Sequence, residues 1–395
     1  MSAIGDQQLI KLINQGMVYR MLKAKPGMSR AQLSHFTGLT KSTISLLVKE
    51  LIEERWLVES EIHSKNAMGR PSTSIFLDSR SRSLIGVEFA QNHIRLVSVS
   101  TSGEIRLCTR TEHDLKELDA VLGIIGDLVL QANDQTQDAG HLLGGIGIAF
   151  AGVFDESTGT LRSSMDFNWQ NKSIVEGLRL AFKKRGLSDI PFFVHSKNHC
   201  CAVGAYEFST HRADTLMYLD FSQHIQMGIV LGDRICAGVS GTAGDIAHTF
   251  VSGDGPVCTD CGRKGCVDSL LSSIAIEKIP DPSVCISTLA SLLHNLWKAF
   301  NPSIFVVGGN SVSRWPGLFE QAKQRFLQEH NEELDAPVVK LCRHGDLAAA
   351  IGAAALPHFY RLRPLESPAI AISRALDFSS PRLKLDTAHG HVSWT

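Results

Sequence analysis

The segment Met28-Ser-Arg-Ala-Gln-Leu-Ser-His-Phe-Thr-Gly-Leu-Thr-Lys-Ser-Thr-Ile-Ser-Leu-Leu-Val-Lys-Glu-Leu51 predicts two short helices joined by a tight turn. Ser29 is a helix-capping residue type, and the helix it starts is expected to end near Thr37. Gly38-Leu39 then forms the turn, and Thr40 caps a further helix that ends near residue 54. Apolar residues recur at helical spacing along this last helix, which predicts its buried face: Ile44, Leu47, Val48, Leu51 and Ile52.

The flanking sequence completes a small domain over residues 1–80. Residues 8–24 have the apolar spacing of an amphipathic helix, which Pro26-Gly27 ends. Residues 56–62 and 74–77 are typical of two strands, separated by a polar stretch. The predicted order is helix, helix, turn, helix and a two-stranded wing, the arrangement of a winged helix-turn-helix.

The charge distribution points to double-stranded DNA as the partner of this domain. Residues 1–75 contain ten Lys/Arg and six Asp/Glu, a net charge of +4, whereas the rest of the chain carries −5. A recognition helix that presents small hydroxyl residues and lysines suits phosphates and base edges in a major groove. A three-helix protein-binding module is the alternative. The predicted DNA-binding residues are Ser29, Arg30, Lys41, Ser42, Thr43, Ser45, Lys49 and, at the wing tip, Arg70.

The prediction that Arg70 binds DNA is based on a less specific pattern than the prediction for the helix residues. It lies in Met68-Gly-Arg-Pro, which suits an arginine inserted in a narrow minor groove. A solvated turn explains the same four residues equally well.

From residue 83 onward, strands and helices alternate, which predicts an α/β protein. Two such series follow each other and suggest a bilobal domain with a ligand cleft between the lobes. The predicted lobes are 81–190 and 191–395, with the C-terminal helices of the second able to return to the first. Predicted strands are 83–90, 93–100, 105–110, 144–150, 191–195, 215–220, 225–232 and 304–309, and predicted helices are 116–133, 171–186, 268–275, 283–300, 315–328 and 346–358.

The composition is that of a globular protein. Of the 395 residues, 44% are apolar and 20% charged, which excludes a largely disordered or membrane-embedded chain. No apolar run approaches the roughly 20 residues of a membrane-spanning helix, so no membrane insertion is expected. The first residues lack the basic and apolar regions of a secretory signal, and we expect a cytoplasmic protein.

A histidine and three cysteines have the spacing of a metal site: His248, Cys258, Cys261 and Cys266. One imidazole and three thiolates form a closed tetrahedral set that is typical of structural Zn²⁺. Because no coordination position stays open for water, the ion is expected to support the fold and not to act as a catalyst. Free cysteines in the core are the alternative.

Together, the predicted winged helix-turn-helix, Gly241-Thr-Ala-Gly-Asp-Ile-Ala-His248 and the loop that contains Cys258, Cys261 and Cys266 resemble the ROK family (repressors, open reading frames and sugar kinases). The resemblance is to its branch of xylose and N-acetylglucosamine repressors. It implies an actin-like, hexokinase-type bilobal fold that binds a sugar between the lobes. It also implies a homodimer or homotetramer on operator DNA that responds to a sugar or to a sugar-transport protein. One spacing differs from the family: most members have Cys-x-Cys-Gly, whereas this chain has Cys258-x-x-Cys261-Gly.

Compared with the family's kinases, the chain differs at the residues that bind phosphate and catalyse its transfer. The glycines of both phosphate loops are replaced, in Val87-Glu-Phe-Ala-Gln-Asn-His93 and in Phe221-Ser-Gln-His-Ile-Gln-Met-Gly228. Lys197 stands where the family has its catalytic carboxylate, and a protonated amine cannot accept a hydroxyl proton. We therefore expect no enzyme activity. A sugar kinase with an added DNA-binding head is the alternative.

The resemblance assigns the effector to Asp166, Ser196, Lys197, Asp245, His248 and Asp268. Shorter acids than the family's glutamates leave more room, and Lys197 adds a donor, so a phosphorylated or acidic sugar is one hypothesis. A vestigial cleft in which Lys197 pairs with Asp166 or Asp245 is the other. In that case a protein partner, such as a sugar-transport component, would control the regulator.

Overall fold

The computed structural model describes residues 3–60, 73–114, 116–164, 167–209, 213–253, 255–330, 333 and 335–366. Arg70 with its predicted wing tip, and Asp166, lie outside these residues. Among the described helices, none combines the length and the apolar character needed to cross a bilayer.

The N-terminal head contains three helices and a two-stranded antiparallel sheet. Its elements are α1 (Ala3–Ala24), α2 (Arg30–Thr37), α3 (Lys41–Glu53), β1 (Leu57–Ser60) and β2 (Ser74–Leu77). Ser29 and Gln32 form a reciprocal capping box at the start of α2, and Gly38 ends that helix with a φ of 74°. Thr40 caps α3 by accepting from the Thr43 amide. The predicted winged helix-turn-helix is confirmed.

A five-stranded mixed sheet, in the order β10-β6-β3-β4-β5, forms the first lobe. Its apolar runs are buried because helices cover them, whereas β5 lies at the edge and alternates between exposed and part-buried residues. The elements of this part of the chain are β3 (Arg82–Phe89), β4 (His93–Ser100), β5 (Ile105–Glu112), α4 (Leu118–Asp138), β6 (Leu142–Phe150), β7 (Val153–Asp155), β8 (Thr160–Ser164), β9 (Trp169–Ser173), α5 (Ile174–Lys183) and β10 (Phe192–Ser196).

Helix α6 (Lys197–Glu207) leads to a second five-stranded sheet, in the order β13-β12-β11-β14-β15. One face of its strands packs against the long helix α9, and the other face packs against α6 and α12. The elements are β11 (Thr215–Phe221), β12 (Ile225–Leu231), β13 (Arg234–Ile235), α7 (Val267–Leu271), α8 (Ser273–Lys278), α9 (Pro282–Phe300), β14 (Ile304–Gly308), α10 (Asn310–Arg314), α11 (Pro316–Glu329), β15 (Val338–Leu341) and α12 (Ala348–Leu362).

Helix α12 packs against the first sheet and against α6. A Cβ atom at Gly86 would lie 1.9 Å from the Ala350 carbonyl oxygen, and one at Gly147 would lie 1.7 Å from that of Ala353. Glycine at both strand positions therefore allows the helix backbone to approach the sheet. Nearly all of α12 is buried, so the last described helix fills the junction of the molecule.

The sequence missed two features near the cleft. Three short strands, β7, β8 and β9, form a small sheet over residues 153–173, so α5 begins at Ile174 and not near residue 171. Helix α6 also went unpredicted because it is buried on almost every side and so lacks an amphipathic period.

Candidate functional site

The head exposes one polar face of α3. Lys41, Ser42, Ser45 and Lys49 are exposed there, and Thr43 is half-buried. The sequence did not single out Leu46, which is 57% exposed on the same helix. An exposed apolar side chain among hydroxyls and lysines suits contact with a thymine methyl group.

Several of these polar groups already have intramolecular partners. The Ser29 hydroxyl caps α2, and the Ser45 hydroxyl donates to the Lys41 carbonyl at 2.8 Å. Arg30 pairs with Glu59 of the wing, and Lys49 lies 3.8 Å from Glu53. Such exposed pairs contribute little to stability and can exchange for phosphate contacts.

A polar cavity of about 600 Å³ lies between the two lobes. It is lined by residues of the β3–β4 turn, the β11–β12 hairpin and the start of α6, together with the loop that carries Asp245 and His248. Three of the predicted effector residues, Lys197, Asp245 and His248, therefore face the same space.

Lys197 is the first residue of α6 and forms an ion pair inside this cleft. Its Nζ lies 3.1 Å from an Asp220 carboxylate oxygen and 4.0 Å from one of Glu88. From the sequence, Asp245 or Asp166 was the expected partner. Asp245 is not the partner, and Asp166 is outside the described residues. Burial would lower the pKa of Lys197, but Asp220 and Glu88 raise it above its ordinary value.

Two other predicted effector residues point into the protein. Ser196 is buried and its hydroxyl lies 2.9 Å from His199 Nδ1. Asp268 is buried as well, where it accepts from the Ile225 amide at 2.9 Å and from the His224 ring at 3.0 Å. Neither side chain lines the cavity.

The two acids that pair with Lys197 were not predicted from the sequence. Asp220 is a single carboxylate at the end of an otherwise apolar strand, and Glu88 occupies a similar place on β3. A charged residue in a buried strand is the signal that could have identified both. Glu88 also accepts from Arg95 at 3.0 Å. Two carboxylates and two cations of the cleft therefore form one connected group: Glu88, Asp220, Arg95 and Lys197.

The predicted metal ligands come together in the second lobe. One ligand atom from each of His248, Cys258, Cys261 and Cys266 lies within 4.8 Å of the others. His248 Nδ1 is 3.8 Å from the Cys258 sulfur and 3.9 Å from the Cys266 sulfur. Tetrahedral bonds of about 2.3 Å to sulfur and 2.0 Å to nitrogen separate such atoms by roughly 3.6 Å, so the set fits Zn²⁺.

The local backbone favours a thiolate in this cluster. Burial acts to raise the pKa of the Cys258 thiol, but the backbone amides of Cys261 and Asp260 lower it below its ordinary value. Since a metal binds the thiolate form, this environment assists coordination.

A buried charge network joins the head to both lobes. Glu207, the last residue of α6, accepts from Lys23 of α1 at 2.5 Å and from Arg363 at 2.6 Å. His358 of α12 lies 3.1 Å from Glu207 on one ring side and 3.1 Å from the Tyr19 hydroxyl of α1 on the other.

Stacked cations complete this junction. Arg82 of β3 and Arg361 of α12 lie 4.4 and 4.3 Å from the ring of Trp56 in the head. Both arginines also donate to Glu54, the residue after α3. The head therefore docks through α1 and the end of α3, which leaves the polar face of α3 outside the junction.

A winged helix-turn-helix on a bilobal α/β domain with a polar interlobe cleft defines a DNA-binding protein with a domain of the sugar-kinase fold. The family model for winged helix-turn-helix DNA-binding domains matches residues 13–58. The ROK family model matches residues 84–281, half of the chain, and the chain belongs to the ROK family.

Curated relatives include the xylose repressor of Caldicellulosiruptor bescii, which is 24% identical over 278 residues, 70% of this chain and 68% of that protein. The DNA-binding transcriptional dual regulator NagC of Escherichia coli is 24% identical over 282 residues, 70% of this chain and 66% of the regulator.

Solved structures confirm the fold. A ROK family transcriptional regulator, a homologue of the E. coli MLC protein, aligns with a TM-score of 0.71 at 18% identity. The alignment covers 92% of this chain and all of that one. A ROK glucokinase from Streptomyces griseus aligns with a TM-score of 0.54 at 20% identity, over 69% of this chain and 98% of the glucokinase. The shared part is thus the bilobal domain, and the regulator shares the head as well.

Proposed function

We propose that this protein is a sequence-specific DNA-binding repressor whose interlobe cleft binds a neutral sugar and which does not transfer phosphate. It acts as a homodimer or homotetramer on a palindromic operator. The division into 1–80, 81–190 and 191–395 remains a prediction.

The main support for this proposal is that helix α6 connects the interlobe cleft to the head. Lys197 at its first residue forms the ion pair in the cleft, and Glu207 at its last residue forms the buried network under the head. A ligand that changes the closure of the lobes would move both ends together. Such coupling requires a ligand that binds two lobe arrangements with different affinity.

The charges of the cleft favour a neutral ligand. The Lys197 ammonium already faces Asp220 and Glu88, and Arg95 is paired with Glu88 and Asp346. Asp245 and Asp260 add further acids to the lining. A phosphate or carboxylate at Lys197 or Arg95 would have to displace one of these carboxylates, whereas sugar hydroxyls can donate to them.

Three features argue against phosphoryl transfer. Lys197 stands in place of the base and is already paired with acids. The β3–β4 turn lines the cleft with Gln91 and Asn92, and the β11–β12 hairpin does so with Gln223 and His224. A phosphate cradle needs closely approaching backbone amides, which these side chains obstruct.

We further propose that the thiolate cluster holds Zn²⁺ as a structural ion. Its four protein ligands would saturate a tetrahedral ion, and the ion would fix the loop of Asp245 and His248 on the wall of the cleft.

The DNA-binding part is tested with a random double-stranded oligonucleotide library, from which the full chain selects its preferred sequence. We expect Lys41→Ala to weaken binding to the selected duplex and to lower the salt slope by about one phosphate contact. Lys183→Ala makes the same charge change at an exposed position of helix α5 and serves as the control. Equal affinities for both variants would show that α3 does not enter the groove.

Arg70→Ala is expected to act differently from Lys41→Ala. A minor-groove arginine gains most from narrow, A·T-rich DNA. Its loss should therefore weaken binding most for duplexes with A·T-rich flanks. The same loss for all flanks would assign Arg70 to phosphate contacts alone.

A further inference from the structure

Three potential metal ligands lie together at the start of helix α6, in a cluster separate from the thiolates. Glu156 follows β7, His195 lies near the end of β10 and His199 is in the first turn of α6. One ligand atom from each lies within 4.8 Å of the other two. Both histidines are buried, with 0% and 2% of their surfaces exposed, whereas the Glu156 side chain is 30% exposed.

The atoms that face one another in this cluster are buried, and they have few hydrogen-bonding partners outside it. Glu156 Oε1, His195 Nδ1 and His199 Nε2 are all buried without a hydrogen-bond partner of normal geometry. Glu156 Oε1 lies 2.9 Å from His195 Nδ1, an ion-pair distance that a tetrahedral ion with bonds of about 2.0 Å would widen to about 3.3 Å. Buried polar atoms that lack good hydrogen bonds are costly, and a cation bound by all three atoms would remove that cost.

The second nitrogen of each ring is hydrogen-bonded. His195 Nε2 contacts the Tyr360 hydroxyl of α12, and His199 Nδ1 contacts the Ser196 hydroxyl at 2.9 Å. Metal-binding histidines have this arrangement, because a bond at one nitrogen fixes the ring and directs the lone pair of the other.

We propose that Glu156, His195 and His199 bind a divalent transition cation of the Zn²⁺ class. Two imidazoles and one carboxylate suit Zn²⁺ and its first-row neighbours better than Mg²⁺ or Ca²⁺, which prefer oxygen ligands. Three protein ligands leave a coordination position for water or a small ligand, on the part-exposed side of Glu156.

At this position, a bound ion would link helix α6 to the first sheet. His195 belongs to the first sheet and His199 to α6, so one ion would fasten the helix to the lobe it leaves. Lys197, the cleft residue, lies between the two histidines in sequence. The proposal concerns metal binding alone and does not depend on the proposed function.

Cobalt(II) tests the site on the full chain, after removal of bound metal and in the presence of a reductant. The thiolate cluster gives an intense sulfur-to-metal absorption, whereas a histidine and carboxylate site gives only weak visible bands. We expect wild type to retain about two ions per chain, the thiolate absorption reaching its maximum at about one equivalent.

Glu156→Gln keeps the size of the side chain and removes its charge. It should abolish the weak bands and about one bound ion while it preserves the thiolate absorption. Glu176→Gln, at an exposed glutamate of α5, should change neither and is the matched control. Cys261→Ser should give the opposite result, with the weak bands retained. Thermal unfolding of each metal-free variant checks that it folds.

Two results would overturn the proposal. The first is a wild-type chain that binds about one ion, all of it accounted for by thiolate absorption. The second is a folded Glu156→Gln variant that still retains both ions with the wild-type spectrum. In either case the cluster is a buried hydrogen-bonding group only.

Discussion

At the scale of single residues, two groups of paired charges lie where parts of the protein meet, one in the interlobe cleft and one beneath the head. Lys197 would be expensive to bury alone, and Asp220 and Glu88 offset that cost. Glu207 has the same relation to Lys23 and Arg363. Each group pairs with residues from other elements of the structure. The ion pairs therefore depend on the relative position of those elements.

Glu207→Gln should destabilise the protein by about 3 kcal/mol, because it leaves Lys23 and Arg363 without their buried counter-ion. Urea unfolding measures this change. Glu176→Gln, which breaks an exposed pair with Arg179, should cost less than about 0.5 kcal/mol. Similar values for both variants would show that the network contributes no stability.

The same residue predicts a pH dependence. Burial alone would raise the pKa of Glu207, but Lys23, the His358 hydrogen bond and Arg363 lower it well below its ordinary value. Its stabilising effect is therefore complete above the unfolded pKa of about 4.3 and is lost as the pH falls further toward the folded value. Between about pH 4.5 and 2, the free energy of unfolding of Glu207→Gln should fall less steeply than that of wild type.

Cys261→Ser should remove the ion of the thiolate cluster and destabilise the second lobe, because structural Zn²⁺ contributes folding free energy. Metal analysis and thermal unfolding measure the two effects. Cys108→Ser changes an exposed cysteine on β5 and should alter neither. A Cys261→Ser variant with undiminished metal and stability would contradict the site.

At the scale of elements, the crossing of α6 and α12 sets the geometry of the molecule. A Cβ atom at Gly204 would lie 2.7 Å from Gly352 Cα, and one at Gly352 would lie 1.9 Å from the Cys200 carbonyl oxygen. The two helices meet backbone to backbone, so α6 cannot shift without α12. Because α12 also carries His358 and Arg361, this crossing is a second connection from the cleft to the head.

Gly352→Ala should separate the crossing helices and destabilise the protein by about 1–3 kcal/mol through overpacking. Gly123→Ala is the matched control, since a Cβ there meets no atom within 4 Å in helix α4. That change should stabilise by about 0.5–1 kcal/mol. Chemical denaturation measures both, and a Gly352→Ala variant as stable as Gly123→Ala would disprove the tight crossing.

The elements that the sequence predicted are those with a strong local signal. The capping residues Ser29 and Thr40, all five strands of the first sheet and three strands of the second appear as predicted, whereas the short edge strands β13 and β15 were not predicted. Helix α6 was not predicted either, since a helix buried by three neighbours has no polar face to give it a period. The partners of Lys197 were missed for another reason: Asp220 and Glu88 are distant in sequence, and only the packing of the lobes brings them together.

At the scale of the whole molecule, the cleft, the crossing helices and the head form one connected body. Head residues Trp56 and Glu54 contact arginines from the first sheet and from α12, while Lys23 contacts the end of α6. A change of lobe closure thus has a physical route to the DNA-binding face. The route predicts linkage, in which ligand and DNA alter each other's affinity by the same factor.

The most direct test measures the affinity of the full chain for its selected duplex, by fluorescence anisotropy, with a panel of neutral sugars and their phosphate and acid derivatives. We predict that a neutral sugar lowers DNA affinity at least about fivefold, and that DNA lowers the affinity for that sugar by the same factor. A sugar that binds the protein without altering its DNA affinity would contradict the account. A panel without any binding sugar would transfer control to a protein partner and leave the cleft as a scaffold.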